Sequence, residues 1–342
     1  MRAMLIDRIH PVNEDIPVLL EAECAVPQPG AGEILIKVNV CGVCHTELDE
    51  IEGRTPPPVL PVIPGHQVVG LVAGLGPGVS LHRMGERVGV GWIFSACGVC
   101  EFCQAGLENL CPDFKATGRD ADGGYAEYMV VPEGFAIPIP AGISDMHAAP
   151  LLCAGAVGYR SLQLANLVDG QPLGLTGFGA SGHLVLQMVR HVYPNSKVYV
   201  FTRSEGEQRF ARELGAAWAG GTTDQPPERL QAVIDTTPAW LPVIAALEAL
   251  APGGRLVINA IRKEGGDRDE LLHLNYERHL WMEKEIKSVA NVTKGDISEF
   301  LALAVEAGIQ PEVQTYDLPD AGQALLELKN RKIRGAKVLQ IT

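Results

Sequence analysis

Four cysteines in one fifteen-residue window, Cys97-x2-Cys100-x2-Cys103-x7-Cys111, constrain this chain more than any other feature in it. Thiolates so spaced can close a tetrahedral S4 site around one ion from a single loop, which suits zinc. Iron–sulfur clusters also take four cysteines, and four unrelated core thiols are the bland alternative. A disulfide framework belongs to short secreted chains, whereas this one has 342 residues. Its opening stretch, MRAMLIDRIHPVNED, holds no apolar run of the length an export signal needs. Four thiolates leave no open coordination position, so the loop is expected to be structural. Gly98, Val99, Glu101 and Phe102 between the ligands offer no catalytic group.

A second constellation is dispersed. Cys44-His45-Thr46-Glu47 follows the alternating, strand-like run Ile34–Val40, and Gly65-His66-Gln67 follows the proline-rich stretch Pro56–Pro64. Cys153 opens the small-residue run Ala154–Gly158. Two cysteines and one histidine would make an open three-ligand site with a vacant corner for a substrate oxygen. Spacing alone does not assemble them. Taken singly, His66 reads as a structural histidine and Cys153 as a small core residue.

Beyond about residue 155 strand and helix alternate. Pro172–Phe178 reads as a strand feeding Gly177-x-Gly179-x-x-Gly182, and a helix follows with Leu184, Val185, Met188 and Val189 at helical spacing. Further strands are expected at 197–202, 232–235, 255–259 and 286–289, with helices at 207–214 and 239–250. This alternation implies an α/β fold with a parallel, doubly wound sheet. The glycine motif gains weight from lying between strand and helix. Gly177 would permit the tight turn, Gly179 would admit a pyrophosphate, and Gly182 would let helix and strand pack closely. A glycine-rich turn without a ligand is the alternative.

The end of the second strand bears on cofactor choice, because an acidic residue there binds the adenosine ribose and repels a 2′-phosphate. This chain has Thr202-Arg203-Ser204 instead. A guanidinium and a hydroxyl suit a 2′-phosphate, so NADP(H) is expected over NAD(H), with Glu205 as the counter-signal. Arg334 and Lys337 could also reach cofactor phosphates, or form a solvated basic patch.

Composition excludes several classes. Apolar residues are 46% and the formal net charge is −13. A large core is therefore available, and an acidic surface repels nucleic acid and anionic membrane. The stretch Gly170–Val189 lacks Asp, Glu, Lys and Arg, but Gln171, Thr176, Ser181, His183 and Gln187 make it a poor membrane span. At roughly 100–200 residues per domain, two or three folded units of a cytoplasmic protein are expected.

These motifs together resemble the zinc-dependent alcohol dehydrogenases of the medium-chain dehydrogenase/reductase superfamily. The resemblance runs in order through GVCHTE at 42–47, GHQVVG at 65–70, the four-cysteine loop, GGYAEY at 123–128, Cys153 and the glycine motif. It implies a GroES-like β-barrel catalytic domain over 1–153, with a structural zinc lobe at about 95–113. A Rossmann dinucleotide-binding domain would take 154–290, and 291–342 would return to complete the first domain. It further implies two zinc ions: Cys44, His66 and Cys153 for the catalytic one, and Cys97, Cys100, Cys103 and Cys111 for the structural one. Thr46 would contact the substrate oxygen and begin a proton relay, and His45 would lie near the cofactor pyrophosphate. Trp92 would line the substrate pocket, with a role as an ordinary buried aromatic kept open. The substrate would be a small alcohol or aldehyde, and the protein a homo-oligomer, dimer or tetramer.

Three positions depart from the family pattern. Gln67 stands where many relatives have Glu, and Glu47 where the residue orienting the zinc-binding histidine is usually Asp. Asp49 stands where several have the histidine that ends the proton relay. Asp49 is expected to pass the proton to water, or the relay ends at the cofactor ribose. These departures, with Thr202-Arg203-Ser204, point to the cinnamyl-alcohol-dehydrogenase-like branch, and so to primary alcohols and aldehyde reduction. A quinone or enoyl reductase of the same superfamily would have lost the zinc ligands, and this chain keeps all seven. A zinc-stabilised NADP(H)-binding sensor would bind cofactor without turning over alcohols.

Overall fold

The chain, in a computed structural model, is described over residues 1–330 and 335–341. It divides into two compact units: Met1–Cys153 with Val292–Val305 and Gln310–Thr342, and Ala154–Asn291 with Glu306–Ile309.

The first unit is built on the strand Glu33–Val43, whose even-numbered residues Ile34, Ile36, Val38 and Val40 are all buried. That alternation puts one face of the strand into the core, as its sequence period predicts. The strand pairs antiparallel with Val68–Leu75, Tyr128–Pro132 and the late strand Ala336–Gln340. Arg87–Val90, Ala136–Pro138 and Val313–Asp317 complete a seven-stranded sheet. The C-terminal return is therefore hydrogen-bonded into this unit. Its buried Lys337 is bonded to Glu327, Gln314 and Tyr316. The expected phosphate-binding or solvated role of Lys337 is thereby corrected: its ammonium is spent on a buried ion pair. Arg334, assigned with it, lies outside the described residues.

The second unit carries six strands, Leu173–Thr176, Val198–Phe201, Trp218–Gly220, Leu230–Asp235, Leu250–Ile258 and Glu285–Ser288. All pair in parallel. In chain order they lie 3-2-1-4-5-6 across the sheet, the doubly wound Rossmann arrangement. Residues of the two central strands are buried almost throughout, so both read as continuous apolar runs. The sequence reversal falls between Leu173–Thr176 and Leu230–Asp235, and there Thr176 pairs with Asp235.

Candidate active site

Sheet register gathers the dispersed ligands. In the antiparallel pair Glu33–Val43 with Val68–Leu75, Cys41 faces Val68. Cys44 leaves the end of the first strand, and His66 precedes the start of the second at that same end. Leu152 packs on Gly89 and Gly91 beside Val68's other neighbour, Val90. The next residue, Cys153, lies in a wide π-type turn, Leu151–Gly155, between two helical segments. Such turns recur at functional sites because they re-aim side chains. The ligand atoms of Cys44, His66 and Cys153 lie within 4.8 Å of one another, with His66 Nε2 3.3 Å from Cys153 Sγ.

The charges in this cluster conflict. The thiol of Cys44 is held well below its ordinary pKa, first by the Cys153 thiol against it and then by His66. The same contact pushes Cys153 well above its ordinary value, and burial adds to it. Two thiols this close do not both ionise unless a positive charge sits against them. Burial works to lower His66, but Glu47 and Cys44 outweigh it and leave its pKa raised. Glu47 Oε1 lies 2.8 Å from His66 Nδ1, and its Oε2 accepts the Cys44 amide at 2.8 Å. Glu47 therefore ties two of the three residues together and leaves Nε2 of His66 facing the thiols. Two thiols and one outward imidazole nitrogen are the donor set of an open zinc site.

Around this cluster the other expected residues are disposed unequally. Thr46 is buried, its hydroxyl 3.5 Å from Cys44 Sγ. His45 is exposed. Gln67 is buried against Gly42. Asp49 is buried one helical turn beyond Thr46, with Oδ1 accepting from Arg54 Nε at 2.6 Å. Trp92 is half-buried, its ring 4.8 Å from that of Phe114 and 5.9 Å from the Arg119 guanidinium. Sequence reasoning missed Glu50. It is buried on the same helix, and burial pushes its carboxyl well above the usual range. Nothing in a lone glutamate signals that in advance.

The four-cysteine loop converges as well, with all four sulfurs within 4.8 Å. Gly98, at φ +74°, makes the turn between the first two cysteines. Amides of Val99 and Cys100 point at Cys97 and hold its thiol down at about 7. Partial burial pushes Cys103 up to about 12.

In the second unit Gly177 adopts φ +79° between strand and helix. The helix Ala180–Val192 begins after Gly179, where an added side chain would meet open space. A Cβ at Gly182 would come within 2.8 Å of the Gly177 carbonyl oxygen, so only glycine allows this approach. At the end of the second strand Arg203 is exposed, and Ser204 caps the helix Glu205–Glu213 by accepting the Glu207 amide at 3.3 Å. The Thr202 hydroxyl donates to the Glu207 carboxylate. Glu207 was missed from the sequence because it lies five positions past Thr202, and the helix turns it back.

The residues 30–141 match the family model "Alcohol dehydrogenase GroES-like domain". Over 321 residues the chain is 43% identical to "Probable alcohol dehydrogenase AdhA" of Mycobacterium tuberculosis, covering 92% of this chain and 91% of that one. The chain belongs to the zinc-dependent alcohol dehydrogenases of the medium-chain dehydrogenase/reductase superfamily. As a member it is an enzyme of alcohol oxidoreduction that uses a nicotinamide cofactor and small-molecule substrates. Two solved dehydrogenases share its fold along nearly all of its length. A cobalt- and zinc-bound thermostable alcohol dehydrogenase from Pyrobaculum aerophilum aligns at TM-score 0.86 with 25% identity, covering 100% of this chain and 99% of that one. A cinnamyl alcohol dehydrogenase from Sorghum bicolor aligns at 0.84 with 26% identity, covering 99% and 97%. No helix among the described residues is long and apolar enough to cross a membrane.

Proposed function

We propose that this dehydrogenase interconverts primary alcohols and aldehydes at a zinc ion held by Cys44, His66 and Cys153, with NADP(H) as the preferred cofactor. The observation that carries this reading is the convergence of two thiols and one glutamate-oriented imidazole from three distant stretches. A second zinc in the four-cysteine loop would be structural. Zinc supplies a positive charge that eases loss of the alcohol proton, and the nicotinamide carries the hydride.

The chain's own residues then have distinct work. Glu47, on Nδ1 of His66, keeps Nε2 turned toward the thiols and would fix which ring nitrogen meets the metal. The Thr46 hydroxyl, beside Cys44, takes the hydrogen bond from the substrate oxygen and begins the proton's exit. Asp49 takes the outer end of that route, next to Arg54, whose side chain reaches solvent. Gly177, Gly179 and Gly182 would shape the pyrophosphate turn, His45 would add a donor there, and Trp92 would wall the alcohol side.

For the cofactor, Arg203 and Ser204 support a 2′-phosphate. Glu207 favours the second reading, NAD(H), because its carboxylate sits at the end of the second strand on Thr202. Steady-state rates with a panel of primary alcohols and aldehydes, each with both cofactors, decide between them. Arg203→Ala should lower kcat/KM for NADP(H) by about tenfold and leave NAD(H) nearly unchanged, as loss of one charged contact does. A wild-type NAD(H) preference that survives Arg203→Ala, and disappears in Glu207→Gln, assigns the enzyme to NAD(H). Six of the eight cysteines fall in the two metal clusters, which supports a reducing, cytoplasmic setting.

A further inference from the structure

At the carboxyl ends of the two strands where the strand order reverses, a buried ion pair ties three segments of the second unit together. Asp235 ends the strand Leu230–Asp235 and is fully buried. Its Oδ1 accepts from Thr176 Oγ1 at 2.5 Å and from Thr237 Oγ1 at 2.8 Å. Its Oδ2 accepts from Lys263 Nζ, and the two side chains are 0% and 8% exposed. The same ammonium donates to the carbonyl oxygens of Thr237 at 2.8 Å and Ala239 at 2.9 Å. All three of its donors are therefore used.

Neighbouring contacts extend this knot on both sides. The segment around Lys263 also gives the Glu264 amide to Pro238 O at 2.6 Å. Asp267 Oδ2 accepts the amides of Trp240 and Leu241 at 2.8 and 2.9 Å. On the other side, Thr236 donates amide and hydroxyl to Thr176 O at 3.0 and 2.9 Å. A Cβ placed on Gly177 would meet Thr236 Oγ1 at 2.7 Å and Thr237 Cγ2 at 3.1 Å. The loop 236–240 thus lies directly against the first glycine of the dinucleotide motif, and Lys263 holds that loop from behind.

We infer that Lys263 is a positioning residue for the nicotinamide cofactor: through Asp235 it fixes the loop 236–240 and the turn at Gly177 in the form that receives the dinucleotide. Open α/β sheets take their ligands at the strand carboxyl ends, at the point where strand order reverses. A buried ion pair is a poor source of net stability, since desolvation offsets its attraction. Its place at this point is better accounted for by fixing geometry before the ligand arrives. The inference rests on the dinucleotide reading of the Gly177 turn.

The test is titration of the zinc-loaded, full-length protein with NADPH and with NADH, followed by nicotinamide fluorescence. Lys263→Met is compared with the double variant Asp235→Asn with Lys263→Met, which leaves no lone buried charge. Both variants should bind both cofactors about tenfold or more weakly, the scale at which lost positioning acts. The alcohol KM and the kcat at saturating cofactor should stay within about twofold, a split that mere loosening of the fold would not produce. Wild-type binding with unchanged affinity in the double variant overturns the positioning role alone. A double variant that loses its cooperative thermal transition assigns the pair to fold stability and overturns it too. Wild-type protein that binds neither cofactor overturns the dinucleotide reading, and the positioning role with it.

Discussion

Glu47 makes two contacts that bear on the candidate site. One oxygen meets His66 Nδ1 at 2.8 Å and the other takes the Cys44 amide at 2.8 Å. One side chain thus spans both residues. Loss of a residue that orients a ligand typically weakens metal binding about 10–100-fold. Glu47→Gln should therefore release zinc from the Cys44 cluster to a chelator at that lower affinity while the four-cysteine loop retains its own. Competition with a chromophoric chelator measures this, and a variant holding both ions as tightly as the wild type would remove Glu47 from the account. Asp49 is different in kind. The family resemblance implies a relay position for it, but its pairing with Arg54 appears only once the helix end is folded back on itself.

At the scale of elements, the short helix His45–Ile51 supplies Thr46, Glu47 and Asp49, so its placement matters to the site. Seven residues make a helix too short to stand alone, and tertiary contacts must hold it. Just past its end, Glu52 bonds Arg54, the Val12 amide and Lys329 of the helix Ala321–Lys329. Burial alone would raise the Glu52 carboxyl, but Lys329, the Val12 amide and Arg54 outweigh it and hold it at about 2, against 4.5 ordinarily. A carboxyl lowered on folding stabilises the native state above its unfolded value, and that contribution drains away as pH falls through the folded one. Glu52→Gln should cost about 1 kcal/mol at neutral pH, the scale of a partly exposed ion-pair cluster. The difference from wild type should shrink between pH 4.5 and about 2. Denaturant unfolding across that range checks it; a constant gap would mean the carboxylate charge is irrelevant.

The same scale shows what was legible from the chain. The buried alternation of Ile34 to Val40 and the strand–glycine–helix order at Gly177 were plain in the sequence, because both are local periodicities. Glu207 on Thr202 and Lys263 on Asp235 were not, because helix rotation and a distant loop bring those pairs together. Lys337 read as a surface cation for the same reason: its partner Glu327 sits on a separate helix.

At the scale of the whole molecule, the second unit ends its sheet on Glu285–Ser288, all four residues exposed. Ile286, Trp281 and Met282 are exposed on that edge strand or just before it in the chain. An edge strand is a template for a like strand, so pairing of two copies along it would account for the homo-oligomer that the family resemblance implies. Ile286→Lys should lower the mass seen by sedimentation equilibrium, and an unchanged mass would place any interface elsewhere. The proposed division of labour between the two metal clusters has a structural correlate in the first unit. The four-cysteine loop is pinned to the return segment by the Lys294 amide on Glu108 at 2.8 Å, which suits the structural role proposed for an ion there, while the proposed open site is the Cys44 cluster.

Anomalous diffraction at the zinc edge, from crystals of the zinc-loaded protein, tests that assignment most directly. Two peaks per chain are predicted, one of them about 2.3 Å from the sulfurs of Cys44 and Cys153 and about 2.0–2.1 Å from His66 Nε2. A single peak in the four-cysteine loop, or a second one bound without His66, would contradict the account.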